Sequence, residues 1–186
     1  MRRQIRHILL SGARRARLRR WLRREEGSAT IEFVLFFPLI MFLFLSSVEV
    51  GVYLMRTVLL ERAVDINVRT LRLGTLSPAT SDELRRRICN DALVLSDCTS
   101  SLTVELVPIS TSSWDLPDPQ YTCVNRDADI DPAVDFSFGT QNELMLVRVC
   151  MITDPFFETT PLVLDMPLDD SGGYALVAAS TFVNEP

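Results

Sequence analysis

Sixteen consecutive residues, Phe33 to Val48, carry no charge and are mostly apolar. As a helix this run is about 24 Å long. Carried past Glu49 to Met55 it reaches 23 residues. That is about 34 Å of helix, enough to cross a hydrocarbon core of about 30 Å. The reading that follows is a membrane-spanning helix over about residues 31–55. Within it Glu32 and Glu49 lie about 25 Å apart along the axis, one near each interface, where a carboxylate costs least. Arg56 comes directly after and can snorkel to the far headgroups.

Charge is divided sharply around this run. Residues 1–27 contain ten arginines against Glu25 and Glu26, and the rest of the chain has nine arginines against twenty-two acids. The chain has no lysine. A basic block ahead of an apolar stretch keeps the N-terminus cytoplasmic. The rival reading, a nucleic-acid-binding arm, does not explain why the block stops at an apolar helix. Leu9, Leu10, Leu18, Trp21 and Leu22 could lay the leader on the inner leaflet as an amphipathic helix. A cleaved secretory signal is disfavoured. Its apolar core is shorter, and Glu49-Val-Gly-Val-Tyr-Leu-Met-Arg56 offers no small-residue cleavage site.

The order Gly27-Ser-Ala-Thr-Ile-Glu32-Phe33, then Pro38, then Val48-Glu49-Val-Gly51 resembles the TadE-like minor pilins, or pseudopilins, of the tight-adherence (Flp) pilus. The resemblance covers roughly residues 25–74. It implies that a prepilin peptidase cuts between Gly27 and Ser28 on the cytoplasmic side, and that Glu32, with Phe33 beside it, guides entry into the pilus or its initiating complex. A cut there leaves a new α-amino group on Ser28 and keeps the apolar helix. An amine and a carboxylate removed from water together attract strongly, whereas either alone is costly. The bland reading of Glu32 is a carboxylate favoured by the helix dipole. For Gly27 it is a flexible joint. Pro38 removes a backbone donor and should kink the helix, as prolines do in many membrane helices. Glu49 reads by default as an interfacial residue. The chain departs from the family in its long arginine-dense leader. After Gly51 it also lacks an alanine-rich run, which leaves the packing partner of that stretch open.

Beyond the membrane the helix should continue to Leu73, with Val58, Leu59, Ala63, Ile66 and Val68 as its apolar stripe, and Gly74 past its end. The organisation expected is a leader over 1–27 that is removed, a long helix over 28–74, and an extracytoplasmic α+β head over 75–186. In the head, Ser77-Pro78 and Ser81-Asp82-Glu83 are helix-start signals. They open a short helix to about Leu93, with Leu84, Ile88 and Ala92 inward and Arg85, Arg86 and Arg87 on a solvated face. Three strands follow: Leu102 to Pro108, Leu144 to Ile152, and Tyr174 to Val183 after the turn Asp170-Ser-Gly-Gly173. An antiparallel sheet packed on the long helix accommodates them.

Cys89, Cys98, Cys123 and Cys150 all lie on the side where disulfides persist. Of three possible pairings, proximity favours Cys89–Cys98 and leaves Cys123–Cys150. Their spacing lacks the Cys-x-x-Cys knuckle of a zinc module. Asp127, Asp129 and Asp131 resemble the opening of a calcium loop. Pro132, however, stands where the turn glycine belongs, and no glutamate follows at position 12. A solvated acidic loop is the simpler reading.

His7 is the single histidine, and it falls in the leader. The mature chain would then have neither histidine nor lysine, which removes histidine-dependent triads, Schiff-base lysines and imidazole ligands. No glycine-rich phosphate loop is visible. A non-enzymatic protein without cofactor is expected, held in a bacterial inner membrane with its head periplasmic or, after assembly, in an extracellular pilus. Its partners would be prepilin peptidase, other pilin and pseudopilin subunits, the inner-membrane assembly platform and membrane lipids, with no nucleic acid. Two alternatives stand beside this reading: an unprocessed single-pass scaffold with a periplasmic head, and a calcium-dependent adhesin.

Overall fold

The computed structural model describes residues 28–76, 80–93, 95, 97–114, 116–117, 121–126, 132–160, 163 and 165–185. The leader, with Gly27, and the acidic triplet Asp127, Asp129 and Asp131 lie outside the described residues. The elements run α1 (Ser28–Arg72), α2 (Ser81–Asp91), α3 (Cys98–Ser101), β1 (Leu102–Ile109), β2 (Leu144–Thr153) and β3 (Tyr174–Val183). The class is α+β: a long N-terminal apolar helix, then a small head with a short helix and a three-stranded antiparallel sheet.

Two compact units divide the chain after Phe44. In the first, the described residues are the N-terminal part of α1. Ile31, Phe33, Val34, Leu35 and Phe36 are all exposed. α1 is long and apolar enough to cross a membrane, with a mean hydropathy of 2.3 over its most apolar window and none of that window buried in the protein.

The second unit, Leu45–Pro186, begins inside α1. The part of α1 in it supplies Leu60, Ala63, Val64, Val68 and Leu71 to one core with Leu84 and Ile88 of α2 and the inward residues of the sheet. This supplies the packing partner that the sequence left open after Gly51. The stripe is phased differently from expectation. Val58 and Ile66 are exposed, while Glu49 and Asn67 are buried. Asn67 is accommodated because its side-chain amide donates to Ala63 O at 2.9 Å and to Asp91 Oδ2 at 2.8 Å, tying α1 to the end of α2. Just past the end of α1 stands Gly74, which has φ +62°. Gly74 N donates to Leu71 O and Thr75 N to Thr70 O, so the left-handed residue closes the last turn as a Schellman-type cap does.

α2 starts one residue after Thr80, whose hydroxyl accepts from Glu83 N at 3.2 Å. Leu84, Ile88 and Ala92 are buried as expected from their spacing. The arginine triplet is not a bare basic face. Arg85 pairs with Asp82, and Arg86 and Arg87 both pair with Glu83.

The sheet order is β1-β2-β3, antiparallel throughout. Leu102, Val104 and Leu106 sit opposite Met151, Val149 and Val147 in register, and all six are buried in the core. On the other face Glu105 lies opposite Arg148. The guanidinium donates to both carboxylate oxygens, at 2.6 and 2.8 Å, and stacks over the Tyr121 ring at 5.7 Å. The charge that interrupts the apolar run of β2 is thus paired across the sheet, where opposite charges stabilise a ladder. Disulfides join Cys89 to Cys98 and Cys123 to Cys150. The second fastens the long loop to β2 on this same face.

Candidate functional site

Two sets of polar residues flank the apolar run of α1. The first is at its N-terminus. Ser28 is its first residue, Glu32 and Phe33 follow one turn later, and the Phe33 ring stacks on Phe37 with centroids 5.0 Å apart. Glu32 and Phe33 are both exposed. α1 runs continuously through Pro38. The removed amide of Pro38 lies one turn after Val34, whose carbonyl therefore has no helical donor at that position.

The second set lies at the start of the head unit. Glu49 is 1% exposed, and its two carboxylate oxygens accept from Phe156 N at 3.0 Å and Phe157 N at 2.8 Å. Charge-assisted bonds of this kind are the strong ones, and they supply what a buried carboxylate lacks away from water. Two turns on, Arg56 donates to Asp154 O and to the Tyr174 hydroxyl, both at 2.7 Å. The sequence reads Glu49 and Arg56 by their depth along the helix, and the structure adds their partners. Both side chains turn into the head and clamp the loop that leaves β2. A hydrophobicity profile cannot see this, because the partners, three backbone groups and the Tyr174 hydroxyl, are about a hundred residues away. The available signal was phase: Glu49, Tyr53, Arg56, Leu60 and Asn67 recur on one side of the helix.

The clamp extends through the same loop. Arg126 pairs with Asp154 at 2.7 Å and donates to Ser171 Oγ at 2.9 Å, and Ser171 donates to Asp169. The Arg126 hydrogen bond holds the Asp154 carboxyl below its ordinary range, against the opposing effect of burial. Burial pushes the Tyr174 hydroxyl up, and the Arg56 hydrogen bond partly offsets it. The Tyr53 and Tyr174 rings meet edge-on, with centroids 5.5 Å apart.

Glu83 has a pH consequence. Its hydrogen bond from Arg87 chiefly, helped by the charges of Arg86 and Arg87, lowers its pKa despite the desolvation that raises it. A carboxylate depressed in the folded state contributes stability above its unfolded value and loses it as pH falls through the folded one. Glu83→Gln is expected to flatten the acid limb of the head's melting temperature between about pH 5 and pH 2. Circular dichroism melts across that range check it, and an unchanged acid slope would refute it.

Residues 27–66 match the family model described as TadE-like protein. That segment is TadE-like. It contains Gly27, Glu32 and Pro38, and also the clamp residues Glu49 and Arg56. The TadE-like match suggests a pilin-like protein of the tight-adherence system, anchored by its N-terminal apolar helix. That family is structural and not enzymatic. No curated protein and no solved structure matches the chain. Among the described residues, no three His, Cys, Asp or Glu side chains are grouped so that they could hold a metal ion.

Proposed function

We propose that this chain is a minor pilin, or pseudopilin, of a tight-adherence pilus, acting in assembly or initiation of the pilus and in surface adherence. The observation that carries the reading is the TadE-like match over residues 27–66, coincident with a helix whose N-terminal apolar side chains are exposed. Prepilin peptidase cuts between Gly27 and Ser28, on the cytoplasmic side of the inner membrane. The apolar helix then holds the subunit in the bilayer with its head periplasmic. Other pilin and pseudopilin subunits and the inner-membrane assembly platform receive it, and the freed Ser28 amine of one subunit pairs with Glu32 of the next.

The processing step is what separates this reading from an unprocessed scaffold. The intact mass of the chain extracted from membranes is expected to lack residues 1–27, with Ser28 as its N-terminus. A mass that retains Met1 and the arginine leader would overturn the proposal in favour of the scaffold.

A further inference from the structure

The clamp at Glu49 has a counterpart in lipid. We propose that the loop Asp154–Glu158 is a bilayer contact, with Phe156 entering the outer interfacial layer of the membrane that α1 spans. This rests on the membrane-anchored reading of α1.

The length of the apolar helix argues for the contact. A hydrocarbon core of about 30 Å takes about 20 helical residues. Counted from Ile31 or from Phe33, that length ends at about Val50 or Val52. The head unit, however, begins at Leu45. The residues before it are too few to span the core alone, so the first turns of the head unit share the bilayer's depth. Glu49 falls in those turns. A carboxylate there costs several kcal/mol unless it is satisfied, and the two amides of Phe156 and Phe157 satisfy it. The same bonds fasten the loop at that level.

What the loop presents there is apolar. Phe156 is 62% exposed, although its ring meets Phe157 edge-on at 4.8 Å. Val50, Leu54 and Met55 of α1 are exposed as well. An aromatic ring on a backbone whose amides are already bonded suits the interfacial layer, where apolar side chains are buried without stranding polar groups. Asp154 and Glu158 flank the ring, so a zwitterionic surface fits it better than an anionic one.

The test uses the full chain carrying Trp21→Phe and Trp114→Phe, with one tryptophan restored by Phe156→Trp or by Phe42→Trp. Each protein is placed in phosphatidylcholine vesicles brominated either high or deep on the acyl chains. Phe156→Trp is expected to be quenched about twofold or more by the shallow bromines and less by the deep ones, with Phe42→Trp showing the reverse order. Quenching of Phe42→Trp without quenching of Phe156→Trp would overturn the contact and leave the anchor standing. Absence of quenching in both would overturn the anchor and the contact together. A blue-shifted Phe156→Trp emission that no bromolipid quenches would overturn it by showing that a second copy of the chain covers the ring.

Discussion

Glu49→Ala is expected to destabilise the head by about 2–4 kcal/mol, because it empties a buried carboxylate position and removes the acceptor of two part-buried amide donors at once. The donors are the adjacent amides of Phe156 and Phe157, and each carboxylate oxygen serves one of them. Neither amide can turn away without moving the loop, and Arg56 holds that same loop at Asp154 O. Glu49→Gln is the sharper probe. It keeps the size and one acceptor, but it sets a side-chain amide against the other backbone donor. The expected loss is about 1–3 kcal/mol, far more than a near-isosteric change at an exposed site produces. Guanidinium unfolding of the full chain in detergent, followed by near-ultraviolet circular dichroism, measures both. If Glu49→Gln stays within about 0.5 kcal/mol of the parent, the clamp does not hold the loop.

The same residue shows what the sequence could and could not disclose. The strands were legible because their signal is local. β1 alternates, and β2 is apolar on both faces apart from Arg148, because α1 and α2 pack on one side while Tyr121 and the Cys123–Cys150 disulfide cover the other. The capped start of α2 and the glycine that ends α1 are likewise local chemistry. The buried side of α1 was misphased because hydrophobic periodicity treats Glu49 and Asn67 as outward residues. In the fold both face inward, satisfied by Phe156, Phe157 and Asp91. Val58 and Ile66, apolar but on the opposite side, were drawn inward by the same rule. The reach of the head unit into α1 was hidden for a related reason. An uninterrupted apolar run does not reveal where exposure to lipid ends and packing on protein begins. The N-terminal motif was legible as a pattern, and the family match covers it. Under the proposed assembly the partner of Glu32 is another chain, which no single sequence contains.

Glu32→Ala is expected to leave membrane insertion, loss of the leader and the folded head intact while abolishing incorporation into the pilus. Insertion depends on the apolar run and the arginine block, which the change leaves untouched. Removing a carboxylate from the edge of a membrane helix makes insertion easier. The head begins thirteen residues later, at Leu45, and its core includes no residue near position 32. Docking is different. If the Ser28 amine of one subunit meets Glu32 of its neighbour away from water, removing one partner leaves the other charge buried alone, at about 3–5 kcal/mol for each contact. That is a loss of at least about a hundredfold in a single docking equilibrium. Glu32→Asp separates charge from geometry. It keeps the carboxylate but shortens its reach by one methylene, so assembly should be reduced but not lost. Sheared-pilus immunoblots, read beside membrane fractions of the same cells, distinguish the outcomes. Full piliation in Glu32→Ala, with the processed subunit in the pilus fraction, would show that apolar helix packing alone sets the register and that the carboxylate serves only the helix N-terminus.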